Sequence, residues 1–266
     1  MPTTFCASAH CSHTLEPTNP YAPPAALEGF DHPPEITSPF RRIINIGLRL
    51  YFENFLPVAV ITLLFSIPCE LFQAYMQYFV IDPEDFRAPM RLQQAIENFV
   101  GIIPYGAVTA LQFAALRGQP VSLWECIDKG FSAWPRLFWS RILRGILLIL
   151  AFLALIIPGF YYFVRLSLVE QVAMIEHQSG LNCIKRAHQL SANHFWLLFS
   201  LLFVSYAPFL VLPAILVAPL HIFPEINHWL VYTAILVVID LLVQLPASIL
   251  VVAYHDFLHE ARAATG

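Results

Sequence analysis

Thirteen consecutive uncharged residues, 145–157, run into Pro158-Gly159, and a second apolar run carrying Arg165 and Glu170 answers them. No helix drawn through the segment from Arg144 to Glu176 has a continuous polar face to offer water. A bilayer core about 30 Å thick needs about 20 apolar residues at about 1.5 Å per residue. The segment therefore predicts two membrane-spanning helices folded back on each other at a Pro-Gly corner. The rest of the chain agrees with a lipid solvent: 58% of its 266 residues are hydrophobic and 12% charged, against about 25% charged in ordinary soluble domains.

A net charge of −4 with scattered basic residues excludes nucleic acid as a partner. The five cysteines are odd in number and spread over the chain, so free thiols are expected rather than a disulfide framework.

Residues 1–37 hold seven prolines, no Lys or Arg and no apolar periodicity, which predicts a disordered cytoplasmic tail. No basic start precedes an apolar core there, so the first true span is expected to act as the targeting signal. Cys6, His10, Cys11 and His13 crowd together in this tail, but their spacing does not match a structural zinc site.

From Pro39 to Asn54 the pattern becomes amphipathic. Ile44, Leu48, Tyr51, Phe52 and Phe55 oppose Arg42, Asn45, Arg49 and Glu53, as suits a helix at the membrane interface. Spans are then expected over about 56–81 and 94–116. A second amphipathic stretch, 121–138, sets Trp124, Ile127, Phe131, Trp134 and Phe138 against polar neighbours. It precedes the Pro-Gly hairpin, and a third stretch, 180–194, leads to spans at about 195–220 and 230–254.

The predicted fold is all-α: a polytopic transmembrane bundle of six spans, arranged as three helical hairpins joined by amphipathic interfacial helices. The membrane domain would cover 38–256, with 257–266 a short cytoplasmic tail.

Anchored on Phe55, Phe138 and Phe195, the three connectors align without gaps, superposing Ile44, Ile127 and Ile184 and matching Gly47, Gly130 and Ala187. This suggests parallel repeats about an axis along the membrane normal. The alternative is that any interfacial helix entering a membrane shows Ile and aromatics at this spacing. Eleven of the fourteen Lys and Arg flank one side of the expected spans, Arg87 and Arg91 flank the other, and Arg165 lies within a span. The positive-inside rule then gives an inner-membrane, multi-pass protein with both termini cytoplasmic.

A charge inside a span costs about 2.5–3.5 kcal/mol on insertion scales and needs a partner or a wet cavity. The candidates are Glu70, Arg144, Arg165, Glu170 and Asp240. Counted from Pro158, Arg144 and Glu170 reach similar depth in an antiparallel hairpin, so they can pair. Arg165 can meet Glu70 from the first span or a lipid headgroup. These residues either pin hairpins together or form a polar path for an ion or anionic substrate.

His255 and His259 stand four apart, but HDFLH lacks the glutamate of a zinc-protease helix, and a solvated helix end is expected. No metal or cofactor is expected, and no phosphate loop, nucleophile elbow or dinucleotide fingerprint is present.

The run Pro158-Gly159, Arg165-Leu166-Ser167-Leu168, Glu176, Ala187, Ser191 and His194-Phe195-Trp196 resembles the bacterial multi-span proteins related to the membrane domain of glycerophosphoryl diester phosphodiesterase, among them the YciC-like inner-membrane proteins. The resemblance implies a six-helix membrane domain of unknown activity. It does not imply hydrolysis, because the catalytic part of the phosphodiesterases is a separate soluble domain for which this chain has no room. The expected role is a non-catalytic membrane scaffold or accessory protein, with membrane lipids and a membrane-protein partner around it. A transporter or lipid-handling protein with a buried polar site around Arg165 is the first alternative, and a membrane-embedded enzyme the second.

Overall fold

The computed structural model describes residues 38–80, 87–120, 122–222 and 229–263. The tail with its Cys and His cluster and the segments 81–86 and 223–228 lie outside them. Ten α-helices carry the described chain, with a π-helical turn at Met76–Val80 and no strand among the described residues.

The helices are α1 (Pro39–Glu53), α2 (Phe55–Tyr75), α3 (Arg87–Phe99), α4 (Ile102–Leu116), α5 (Leu123–Ala154), α6 (Ile156–Arg165), α7 (Val169–Ile175), α8 (Leu181–Leu190), α9 (Phe195–Ile222) and α10 (Trp229–Ala263). Three are long and apolar enough to cross a membrane: α2, α5 and the Thr233–Ala263 part of α10. Counting each bent pair as one span, α3 with α4 (42°) and α8 with α9 (103°), there are up to five. The chain is thus an all-helical protein with the helices of a membrane protein.

The connectors bury only some of the large apolar residues that mark their faces: Tyr51, Ile127 and Ile184 are buried, while several aromatics are not. In α1 the core side is Ile43, Gly47, Leu50 and Tyr51, while Phe52, Phe55 and Leu56 are exposed. In α5 it is Cys126, Gly130, Ala133 and Leu137, with Trp124 and Phe131 outward. In α8 it is Cys183, Ile184, Ala187 and Leu190. Where lipid bathes the outside, large apolar side chains lose nothing by facing out, and small residues are what permit close helix crossings.

Placed on the same three phenylalanines, the buried positions coincide: Ile43, Cys126 and Cys183; Gly47, Gly130 and Ala187; Leu50, Ala133 and Leu190. The joints differ. α1 and α2 meet at Asn54, α8 and α9 are separated by the turn before Phe195, and α5 runs straight through Pro135.

The Pro-Gly corner is displaced. The chain reverses at Leu155, whose backbone is extended (φ −167°, ψ 150°), and Pro158 and Gly159 lie in the first turn and a half of α6. A proline so early in a helix gives up no intrahelical hydrogen bond. Gly159 is where α6 lies against the ring of Phe152 on α5, and a Cβ there would overlap that ring.

The returning arm is also broken. α6 ends at Arg165, a turn follows over Leu166–Leu168, and α7 is buried at six of its seven residues. Helix α7 lies within the main core and packs against α5, α8, α4 and the C-terminal half of α10. That half of α10 does not stop at Tyr254: the helix continues to Ala263, and Phe257 and Leu258 are buried.

Candidate functional site

The predicted charged residues fall into three places. The first is an ion-pair cluster on the returning arm. Glu170, in the first turn of α7, receives Nε and Nη2 of Arg141 at 3.1 and 3.2 Å and Nη1 of Arg144 at 3.4 Å. Arg141 approaches with both prongs of its guanidinium, the stronger geometry. It also donates to the Glu97 carbonyl at 3.5 Å, while Trp134 Nε1 donates to the Phe99 carbonyl at 2.6 Å. These carbonyls close α3 and have no helical donor of their own, so a cation and an indole N–H from α5 satisfy its negative end. Beside the cluster, Gln171 donates to the Tyr105 hydroxyl at 2.9 Å.

The second place is Arg165, which does not reach Glu70. Its Nε donates to the Tyr161 hydroxyl at 3.0 Å and Nη1 to the His188 carbonyl at 2.9 Å, and the guanidinium lies 5.0 Å from the Tyr161 ring centre. His188 is in the last turn of α8, so a buried cation caps the negative end of that helix. Ser191 completes the joint by donating to the Arg165 carbonyl at 3.1 Å. Arg165 is thus a tether between the arm and the third connector, and the polar cavity lies elsewhere.

That cavity is the third place. Between α2, α3, α4 and α10, a space of about 350 Å³ is lined by Glu70 and Asp240, with Glu97 of α3 and Arg141 as the charged groups around them. Thr62, Ser66, Cys69, Gln93, Tyr105 and Gln244 supply its remaining polar surface. Three of the lining oxygens are buried and have no hydrogen-bond partner: Glu70 Oε2, Thr62 Oγ1 and Gln244 Oε1.

In the sequence, Glu70 and Asp240 stand among the five candidates for one polar path, with nothing to mark these two as neighbours. They are 170 positions apart and meet because α10 packs along α2, where Tyr51 O–H also donates to the Leu241 carbonyl at 2.9 Å. The neutral members Thr62 and Gln244 carry no sequence signal beyond being polar in an apolar run.

Further along α10, His255, which is buried, and His259 bring their Nε2 atoms to 3.2 Å, and His194 Nε2 lies 3.2 Å from a Glu260 carboxylate oxygen. Among the described residues no three His, Cys, Asp or Glu are grouped as metal ligands. No family model matches the chain, and neither a curated protein nor a solved structure matches it.

Proposed function

We propose that this chain is an integral inner-membrane protein that holds a small polar solute in the cavity between α2, α3, α4 and α10, and so belongs to the transporter or lipid-handling class. Six segments would cross the bilayer: α2, α3 with α4, α5, α6 with α7, α9 and α10. The connectors and both termini would be cytoplasmic, in the layout that the resemblance to the YciC-like membrane proteins implies. Membrane lipids would cover the exposed apolar faces.

The observation that carries this reading is the polar lining of one cavity between apolar helices, with three of its residues, Glu70, Thr62 and Gln244, each holding a buried oxygen without a hydrogen-bond partner. A buried polar group left unpaired costs about 1–3 kcal/mol, and in helices that need only stick together apolar residues would avoid that cost. Such groups inside a membrane domain are by default a site. A scaffold would need only the tethers, which are the Glu170 cluster and Arg165. An embedded enzyme would need a nucleophile and base or paired acid and base at one depth. The cavity brings two carboxyl groups, Glu70 and Asp240, together, but no histidine lines it and its thiol, Cys69, has no imidazole beside it among the lining residues.

The test is purification in native lipid followed by mass spectrometry of the intact protein. A small polar molecule or lipid headgroup retained in stoichiometric amount, and lost on Gln244→Leu, is the expected result. An empty protein that brings down a stoichiometric membrane-protein partner would return the chain to the scaffold class.

A further inference from the structure

The structure assigns the cavity a positively charged ligand: we infer a compact cation, either an alkali ion or the ammonium group of an organic amine, anchored by Glu70 and coordinated by the oxygens of Thr62 and Gln244. This rests on the proposed solute-binding reading and adds the chemistry of the solute.

Two independent observations carry it. The first is charge. Four ionisable acidic or basic residues face the cavity: Glu70, Glu97, Asp240 and Arg141. Arg141 already holds Glu170 with two hydrogen bonds, and Glu170 takes Arg144 as well. With Glu170 included, four carboxyl groups stand against Arg141 and Arg144, so the acidic groups outnumber the basic ones by two. In a medium of low dielectric, such an excess favours a positive occupant far more than it would in water.

The second observation concerns hydrogen bonding and rests on two neutral residues outside the acidic cluster together with Glu70. Thr62 is 1% exposed and Gln244 8%, yet Thr62 Oγ1 and Gln244 Oε1 lack a partner, as does Oε2 of Glu70, itself 8% exposed. A carboxylate and an amide carbonyl can only accept, and a hydroxyl can accept as well. The occupant they fit is one that donates N–H bonds or takes oxygen lone pairs directly, as hard cations do. An anion would meet repulsion from Glu70 and Asp240.

Size sets the form of the ligand. At about 30 Å³ per water, a cavity of about 350 Å³ is much larger than a bare alkali ion. An ion would therefore keep part of its hydration shell, whereas an organic amine would fill the space with its own carbon. The two sources share the same contacts and are separated by experiment.

The full chain in lipid nanodiscs would be unfolded thermally at constant ionic strength, with sodium, potassium, ethanolammonium or the bulky N-methylglucammonium as the varied cation. Erythritol and sulfate serve as neutral and anionic probes. The expected result is a saturable rise in Tm with one of the compact cations and none with N-methylglucammonium. Sodium or potassium alone would identify an ion site, and ethanolammonium alone an amine site.

Glu70→Gln should weaken the apparent affinity at least tenfold. Thr62→Val, which keeps the shape and removes the oxygen, should weaken it several-fold and serves if the first variant fails to fold. Exposed Glu53→Gln should leave it unchanged. Stabilisation by erythritol or sulfate but by no cation would overturn the cation and keep the solute site. No response to any probe would overturn both, and a cation response equal in Glu70→Gln and Thr62→Val would place the ion outside this cavity.

Discussion

At the scale of single residues, Glu170 and Arg165 are buried charges with opposite solutions. Glu170 is neutralised by two guanidinium groups, and removing it would leave Arg141 and Arg144 facing each other in a largely desolvated space. Breaking a buried pair from one side costs about 3–5 kcal/mol. Since Arg141 keeps some exposure, the expected loss for Glu170→Ala is nearer about 3 kcal/mol, read as a fall in Tm and in membrane abundance. Arg141→Ala should approach the same loss, and Arg144→Ala, which removes one contact at 3.4 Å, should lose less than half of it. Equal effects from the two arginines would contradict the geometry.

Arg165 has no carboxylate and works through its shape, with one edge on the Tyr161 hydroxyl and one nitrogen on the His188 carbonyl. Lysine cannot make both contacts. Arg165→Lys is therefore expected to destabilise almost as much as Arg165→Ala, by about 2 kcal/mol, in a thermal unfolding assay. A full rescue by lysine would show that charge alone matters.

The Arg144 to Glu170 contact was legible by counting residues outward from Pro158, but Arg141 was not. The true reversal is at Leu155; moving the corner three residues toward the N-terminus moves the position level with Glu170 by six, from 146 to 140, which favours Arg141 over Arg144, three residues further on. Three residues are close to one helical turn, so both arginines share a face and the pairing survived a misplaced corner.

At the scale of elements, helix type and amphipathic stretches could be read from the sequence, but the inward direction of each connector could not. In water, the large apolar residues of an amphipathic helix mark its buried side. At a membrane both the core and the lipid accept them, so Trp124, Phe131 and Phe52 face out, and the informative residues are the small ones. Gly130 shows why: a Cβ there would come within 2.7 Å of the Ile103 carbonyl oxygen and 3.1 Å of the Ala107 side chain.

Backbone cannot move aside as a flexible side chain can, so Gly130→Val should force α4 and α5 apart. Overpacking of this kind costs about 1–3 kcal/mol, to be read from the unfolding temperature. Gly145, further along the same helix, has nothing within 4 Å of an added Cβ. There Gly145→Ala should be neutral or stabilising by up to about 1 kcal/mol, from helix propensity alone. The same small-residue register in the three connectors is what the gapless alignment detected. The differing joints escaped it, because Asn54, Pro135 and the turn before Phe195 are set by how each connector meets its neighbours.

At the scale of the molecule, contacts between distant segments fix which ends lie level. Glu176, just past α7, accepts from the Tyr254 hydroxyl at 2.8 Å and pairs with Arg186 of α8 at 3.1 Å. Two residues beyond Tyr254, Asp256 pairs with Arg42 in the first turn of α1 at 2.6 Å. The end of α7, the start of α1 and the C-terminal part of α10 thus share one polar layer. At the other end of the hairpin, the Leu155 corner is apolar and exposed.

If the first turn of α1 is cytoplasmic, the end of α7 must be too, so α6 and α7 together have to bring the chain back across the bilayer. Ten and seven residues would each be too short to do so alone. The consequence falls on the loop before α10. With α6 and α7 crossing, α9 runs outward and Asn227 is outside; without that crossing, α9 runs inward and Asn227 is cytoplasmic. Reporter fusions at Asp85 and Asn227 should therefore both show the external signal, with fusions at either terminus cytoplasmic. An external signal at Asp85 with a cytoplasmic one at Asn227 would reduce the bundle to five crossings and leave the returning arm as a re-entrant segment.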